Sequence, residues 1–184
     1  MKISLVEPSI KYKDSFLKGI NEYFNMDEDI EGTGFIQKKL KNSYTDAEFN
    51  KEIIEIYKEH KKGVNLPSTD WPSYSETWII ADGVFVGAIF DKDYFPTKNS
   101  ESGGNIGYFT VPSFRRKGIM KKAMELYIKQ IKKDKIIGCE PSNIGSRKII
   151  EYLATKFKNI KEEDGIFTFD DGTKITCIRW RFIA

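Results

Sequence analysis

The chain has 184 residues, of which 40% are hydrophobic and 31% charged. That balance excludes a disordered or fibrous chain and leaves enough apolar side chains for one well-filled core, so a single domain over residues 1–184 is expected. A net charge of +3 falls well short of an extended phosphate footprint, which argues against nucleic acid as the partner.

The first eight residues, Met1 to Pro8, contain no apolar run long enough for an export signal or a bilayer span, and a cytoplasmic protein is expected. Phe16, Leu17, Ile20, Tyr23 and Phe24 recur at helical spacing and predict an amphipathic helix from about Ser9 to Phe24. Thr45-Asp46-Ala47-Glu48 has the form of a capping box, and Phe49, Ile53, Ile56 and His60 follow on one face of the helix it opens. Gly63 should end that helix. From Val64 to Glu76 the prolines, serines and aromatics predict an irregular loop.

Thr77 to Ala81 and Val84 to Phe90 are β-rich runs separated by Asp82-Gly83, and they should form a hairpin. Polar, glycine-bearing residues from Asp91 to Gly104 connect them to a strand over residues 105–111, which Pro112 ends. A helix follows from Gly118 to Lys133, with Ile119, Ala123, Leu126, Tyr127 and Ile131 on its apolar face. Next come a buried-type strand from Lys135 to Glu140, the turn Pro141-Ser142-Asn143 and a helix carrying Ile149, Ile150, Leu153 and Phe157. Strand, helix, strand in this order implies a parallel crossover. The chain closes on a hairpin, Ile166 to Phe169 and Lys174 to Ile183, around Asp171-Gly172. Cys139 and Cys177 lie in strand-like stretches without metal-ligand spacing, which fits buried thiols in a reducing compartment and no metal.

The junction between the strand ending at Val111 and the helix starting near Gly118 carries the chemistry. A glycine lets the backbone turn tightly there, so that N–H groups and the positive end of a helix dipole converge on one spot, which suits a phosphate. Arg115, Arg116 and Lys117 surround that spot with cations, as a pyrophosphate would require. The same residues also fit a solvated helix start with no ligand.

The run from Tyr108 to Ile119 resembles the coenzyme A signature of the GNAT superfamily of N-acetyltransferases, Arg/Gln-x-x-Gly-x-Gly/Ala, with strand, turn and helix in the expected order. Pro141-Ser142-Asn143-Ile144-Gly145-Ser146 looks like the family's second coenzyme-contacting region. More loosely the chain is similar to an uncharacterised "predicted acetyltransferase" branch, through its Pro-rich loop and its Gly103-Gly104-Asn105-Ile106-Gly107-Tyr108 lead.

The resemblance implies one α/β (α+β) domain with a mixed, mostly antiparallel sheet flanked by helices and a central parallel strand pair splayed for acyl-CoA. It implies acetyl transfer from acetyl-CoA to the primary amine of a small-molecule or peptide acceptor, by direct attack without an acyl-enzyme. Backbone groups of Phe109, Thr110 and Val111 would pair with the pantetheine arm. Arg115, Arg116, Lys117, Gly118, Ile119, Met120 and Lys121 would hold the pyrophosphate, and Asn143 and Ser146 would touch the cofactor from the second region.

Two departures from the family pattern stand out. Met120 replaces a small residue, where a contact made by backbone N–H survives if the side chain turns away. Ile150 stands where a Tyr often protonates the leaving thiolate, and Tyr152 lies about 200° further round the helix. Glu140, at the carboxyl end of its strand, and Tyr108 are the candidates for acid-base work. Trp71 and Tyr74 are candidates for an aromatic acceptor wall, with Asp70, Asp91 and Asp93 as candidate holders of the amine. His60, late in an amphipathic helix, reads as a packing or surface residue.

The missing Tyr also admits a non-catalytic acyl-CoA sensor. A nucleic-acid-binding segment from Arg115 to Lys122 is the third reading, disfavoured because no aromatics are interleaved with it. Homodimerisation is left open.

Overall fold

The computed structural model describes residues 1–24, 26, 43–66, 71–93, 104–168 and 172–184. They divide into two compact units, Met1–Asp93 with Gly107–Ala123, and Tyr94–Ile106 with Met124–Ala184. Pro67, Asp70, Gly103, the 94–103 part of the connector, Phe169 and Asp171 lie outside the described residues.

The first unit opens with β1 (Ile3–Val6), which leads through a 3-10 turn (Ile10–Tyr12) into α1 (Lys13–Phe24). Ser9 caps that turn by accepting from the Lys11 N–H, so the chain becomes helical where the sequence placed it. Thr45 makes both bonds of the capping box with Glu48 and starts α2 (Asp46–Phe49), which runs through a π-helical segment (Asn50–Ile54) into α3 (Glu55–Lys61). Gly63, at a φ of 75°, follows the helix end.

The π segment changes which side chains are buried. Each π turn holds one more residue than an α turn, which moves every later residue round the axis. Beyond it Tyr57 and His60 are buried at 4% and 1% exposure, while Ile56, expected inside, is only half-buried.

β2 (Tyr74–Ala81), β3 (Val84–Lys92) and β4 (Ile106–Thr110) complete a sheet of order β1-β2-β3-β4. β2 begins three residues before the sequence predicts, because its first residues, Tyr74 to Glu76, pair with Phe90 to Lys92 at the far end of β3. Asp82 and Gly83 both take positive φ, 48° and 86°, which is the two-residue turn whose twist matches the strands it joins. Close packing at Gly87 brings β3 against β4: a Cβ there would lie 2.2 Å from the Phe109 carbonyl oxygen. No other residue fits.

The core of this unit is aromatic. Phe16 of α1 is fully buried, stacked on Trp78 with ring centroids 4.7 Å apart and edge-on to Phe85 and Phe49 at 5.1 and 5.6 Å. Burying such a ring contributes about 1.5–3 kcal/mol, and truncating it to Ala would cost about 3–5 kcal/mol. His60 is held by this layer. Its Nε2 hydrogen goes to the Asn65 carbonyl at 2.9 Å, so Nδ1 accepts from the Tyr74 hydroxyl at 2.6 Å.

α4 (Ile119–Ile128) is shorter than expected, because after Ile128 the chain tightens into turns in which the Gln130 and Ile131 N–H groups bond to Tyr127 and Ile128. The second unit holds β5 (Lys135–Cys139), α5 (Ile144–Lys156), β6 (Ile160–Thr168) and β7 (Lys174–Phe182), in a sheet of order β5-β7-β6. β5 and β6 each pair antiparallel with β7. β4 and β5 belong to different sheets, so the crossover through α4 joins strands that share no ladder.

β6 starts six residues before the sequence-predicted Ile166, in a charged stretch. Charges suit an edge strand, and Glu163 accepts from Arg181 of β7 at 2.6 Å. Ile150, Leu153, Cys177, Trp180 and Phe182 are buried here, and both cysteines are free. Asn105 fixes the incoming chain through its N–H to the Ile136 carbonyl, 2.8 Å, and through Oδ1, which accepts from the Ile136 N–H at 3.0 Å. No helix of the described residues is long and apolar enough to cross a membrane.

Candidate acyl-donor site

β4, the 3-10 turn Pro112–Phe114 and the start of α4 form one continuous strand-turn-helix. β4 is the end strand of its sheet, and the Val111 N–H donates to the Val86 carbonyl at 2.9 Å. Backbone groups of successive residues point to opposite sides of a strand. Phe109 and Val111 therefore face β3, and Tyr108 and Thr110 turn their amides and carbonyls to the open edge. Of the three residues expected to pair with an extended ligand arm, Thr110 has the backbone groups on that side.

The turn is braced from α1. Glu22 accepts from the Ser113 N–H and hydroxyl, both at 2.9 Å, and the Tyr23 hydroxyl donates to the Thr110 carbonyl at 2.5 Å. Arg115 lies over the Tyr23 ring at 5.2 Å and its Nε reaches the Thr110 carbonyl at 3.3 Å. Lys117 donates to the Ser113 carbonyl at 2.7 Å. Arg115, Arg116, Lys117 and Gly118 are exposed, whereas Ile119 and Met120 are buried at 1% and 5%. Met120 thus turns its side chain inward, and its bulk leaves the outer face of the helix start open.

Arg116 and Gly118 both take left-handed backbone, φ 59° and 74°, which sharpens the turn into α4. Nothing lies within 4 Å of where a Cβ on Gly118 would sit. α4 makes its first bond from the Lys122 N–H to the Gly118 carbonyl, 3.2 Å, so the amides before it belong to the set a helix cannot satisfy internally. Open space, helix-start amides and exposed cations together fit a pyrophosphate.

In the second unit, Asn143 caps α5, its Oδ1 accepting from the Ser146 N–H at 2.9 Å. Glu140 is half-buried at the turn before it and accepts from the Ser142 hydroxyl at 3.2 Å. Ile150 is fully buried, and Tyr152 on the other side of α5 donates its hydroxyl to Glu125 of α4. Tyr108 is half-buried.

Trp71 is 38% exposed and packs edge-on to Tyr74, with Lys92 over its ring at 5.6 Å. Tyr74 is buried at 3%, its hydroxyl on His60 and its phenol pushed above the ordinary range by burial and by the Glu76 charge. Asp70 lies outside the described residues.

Glu76 escaped the sequence reading. It is 6% exposed on β2, its Oε1 accepts from the Trp78 indole at 2.6 Å, and its Oε2 is fully buried on a carboxyl that the Tyr57 hydroxyl also meets. The Tyr57 hydroxyl and the Trp78 indole favour the anion, but burial outweighs them and pushes the carboxyl up to about 8. Only its even spacing with Tyr74 and Trp78 on one face of a strand could have flagged it.

Comparison with known proteins adds three findings. The model of a family described as Acetyltransferase (GNAT) matches residues 38–153. No curated protein sequence matches. Solved structures share the fold at low identity. The microcin C7 self-immunity acetyltransferase MccE, solved with acetyl-CoA and AMP, has a TM-score of 0.63 at 16% identity, over 100% of this chain and 93% of its own. RimJ from Mycobacterium smegmatis, in complex with CoA-disulfide, gives 0.62 at 14%, over 99% and 82%. RimL, the ribosomal L7/L12 α-N-protein acetyltransferase, in complex with coenzyme A, gives 0.60 at 13%, over 100% and 94%.

Proposed function

This chain belongs to the GNAT acetyltransferase family, and on that premise we propose that it moves an acetyl group from acetyl-CoA to the primary amine of a small molecule or peptide by direct attack. The observation that carries the reading is the turn into α4, where Gly118 leaves its Cβ position empty beside helix-start amides and the exposed Arg116 and Lys117. N–H groups from Arg116 to Lys121 hold the pyrophosphate. The edge-facing N–H of Thr110 pairs with the pantetheine arm, its carbonyl being held by Tyr23 and Arg115, and Asn143 and Ser146 contact the cofactor from the second region.

In the reaction the amine nitrogen bonds to the thioester carbonyl carbon, the carbon–sulfur bond breaks and coenzyme A leaves as a thiolate. The enzyme supplies proximity and a route for the amine's proton. Glu140 is the base of this reading. Trp71, with Tyr74 behind it, walls the acceptor side, and the exposed Trp71 face suits a cationic or flat group. The buried Ile150 cannot protonate the thiolate, so either Tyr108 or solvent does. The chain acts as one catalytic domain in the cytoplasm, where Cys139 and Cys177 stay reduced.

The test is a thermal-unfolding series with acetyl-CoA on the wild type and on Gly118→Val. A ligand at about 100 times its dissociation constant stabilises by about 2.7 kcal/mol, which the wild type should show and the variant should lose. Thiol release on adding an amine panel then reports transfer. Stabilisation without thiol release on any amine would favour the acyl-CoA sensor, and no stabilisation would remove both readings.

A further inference from the structure

Gly19 sits in the middle of α1, where glycine is a poor helix former. A Cβ there would lie 2.7 Å from a Val111 methyl, so the glycine lets the helix come close to the end of β4. Glu22 and Tyr23 follow three and four residues on, which places them on the same face of α1, over the turn that leads out of the strand. Glu22 is half-buried and puts both carboxylate oxygens on Ser113. Oε2 accepts from the Ser113 N–H and Oε1 from its hydroxyl, each at 2.9 Å.

Ser113 is the residue of this turn that needs an outside acceptor. The Val111 N–H goes to Val86, the Phe114 N–H to the Val111 carbonyl at 2.8 Å and the Arg115 N–H to the Pro112 carbonyl at 3.1 Å, while Pro112 has no N–H to give. Glu22 takes the donor that remains. The turn is thereby closed from another element just before Arg116 and Gly118, whose left-handed backbone sets the direction of the amides that follow. A carboxylate is a costly group for that task, because a negative charge beside a loop that binds a pyrophosphate repels the ligand. What it supplies in return is a pair of charge-assisted hydrogen bonds, stronger than those that water or a neutral side chain would make.

We propose that Glu22 is a positioning residue for acyl-donor binding: by clamping Ser113 it fixes the direction of the amides from Arg116 to Lys121, and this outweighs the repulsion of its own charge. The inference rests on the acetyl-CoA reading given above and adds to it a residue 91 positions before the one it holds, outside the signature loop. Glu22 acts through Ser113 and not on the reacting atoms.

The experiment is calorimetric titration of acetyl-CoA into the full chain as wild type, Glu22→Ala and Glu22→Gln, with unliganded melting curves alongside. Glu22→Ala should weaken acetyl-CoA by about tenfold. Ser113 is exposed, so water takes over its donors and the unliganded melting temperature should move by about 2 °C or less. Glu22→Gln keeps the reach and one acceptor oxygen while removing the charge, and it should bind about threefold less tightly than the wild type. In thiol release the loss should appear in the KM for acetyl-CoA, with kcat at saturation unchanged. Electrostatics alone gives the opposite sign, so acetyl-CoA binding as tight as the wild type or tighter in Glu22→Ala would overturn the proposal. A melting temperature lowered by about 10 °C, or a kcat that falls as far as KM rises, would mark a general packing fault and overturn it too. Those outcomes remove this inference alone, whereas a wild type that does not bind acetyl-CoA removes the acyl-donor reading and this inference with it.

Discussion

The hydroxyl of Tyr23 on α1 donates to the carbonyl of Thr110 at 2.5 Å, on the last residue of β4, and the same Tyr23 ring carries the Arg115 guanidinium at 5.2 Å. One side chain therefore ties the first helix both to the strand edge and to the cationic loop. Tyr23→Phe keeps the ring and its packing on Phe109 and removes only the hydroxyl donor. It should cost about 1 kcal/mol in urea unfolding, and acetyl-CoA binding should weaken by a few-fold because the loop loses its anchor.

Gly87→Ala should be far worse. Its Cβ would sit 2.2 Å from the Phe109 carbonyl oxygen and 3.2 Å from the Thr110 Cα, and backbone cannot yield as a side chain does. A loss of about 3 kcal/mol or more is expected, read as a fall in urea midpoint or as insoluble expression.

Arg116→Gly separates stability from binding. A non-glycine residue at φ 59° carries a backbone cost of about 1 kcal/mol that glycine removes. The variant should melt a few degrees higher without ligand, yet bind acetyl-CoA less tightly, and its affinity should fall less steeply with added salt than that of the wild type. A variant that binds acetyl-CoA as well as the wild type would show that the Arg116 charge does not serve the cofactor.

Glu76 makes stability depend on pH in an unusual direction. Its carboxyl is raised from 4.5 to about 8 in the folded chain by burial, so between those values the native state holds a proton that the unfolded state has lost. Stability should therefore fall as pH rises from about 4.5 to about 8 and level off above that. Glu76→Gln should flatten that slope and be the more stable protein at pH 8.5, by on the order of a few kcal/mol. Parallel unfolding curves at pH 6 and pH 8.5 check the sign.

Features written in a few neighbouring residues were legible in the sequence. Thr45 and Glu48 announce a helix start, and Asp82-Gly83 a hairpin, because their side chains or φ preferences act on adjacent backbone. The turn from Val111 to Ile119 was legible for the same reason. What depends on distant contacts was not. Lys161 to Asp164 fall outside the closing hairpin as the sequence predicts it, from Ile166, because their strand is made by β7, whose pairing lies outside any local pattern. Glu76 reads as the last residue of an irregular loop, since the pairing of β2 with the far end of β3 and the packing of α3 on β2 are what place it inside. Nothing in the side chains of Asn50 to Ile54 signals a π segment.

The π segment gives the helix between Asp46 and Lys61 one residue beyond what regular winding accommodates, and that surplus behaves like an inherited insertion with a fixed phase. Downstream positions are rotated by about 100°, which turns Tyr57 into the core and leaves Lys58 and Lys61 exposed. Excising one residue there should restore an unbroken α-helix while swapping the inward and outward sets of its last two turns. Chains of this family whose helix is one residue shorter should then turn the position of Ile56 inward in place of Tyr57.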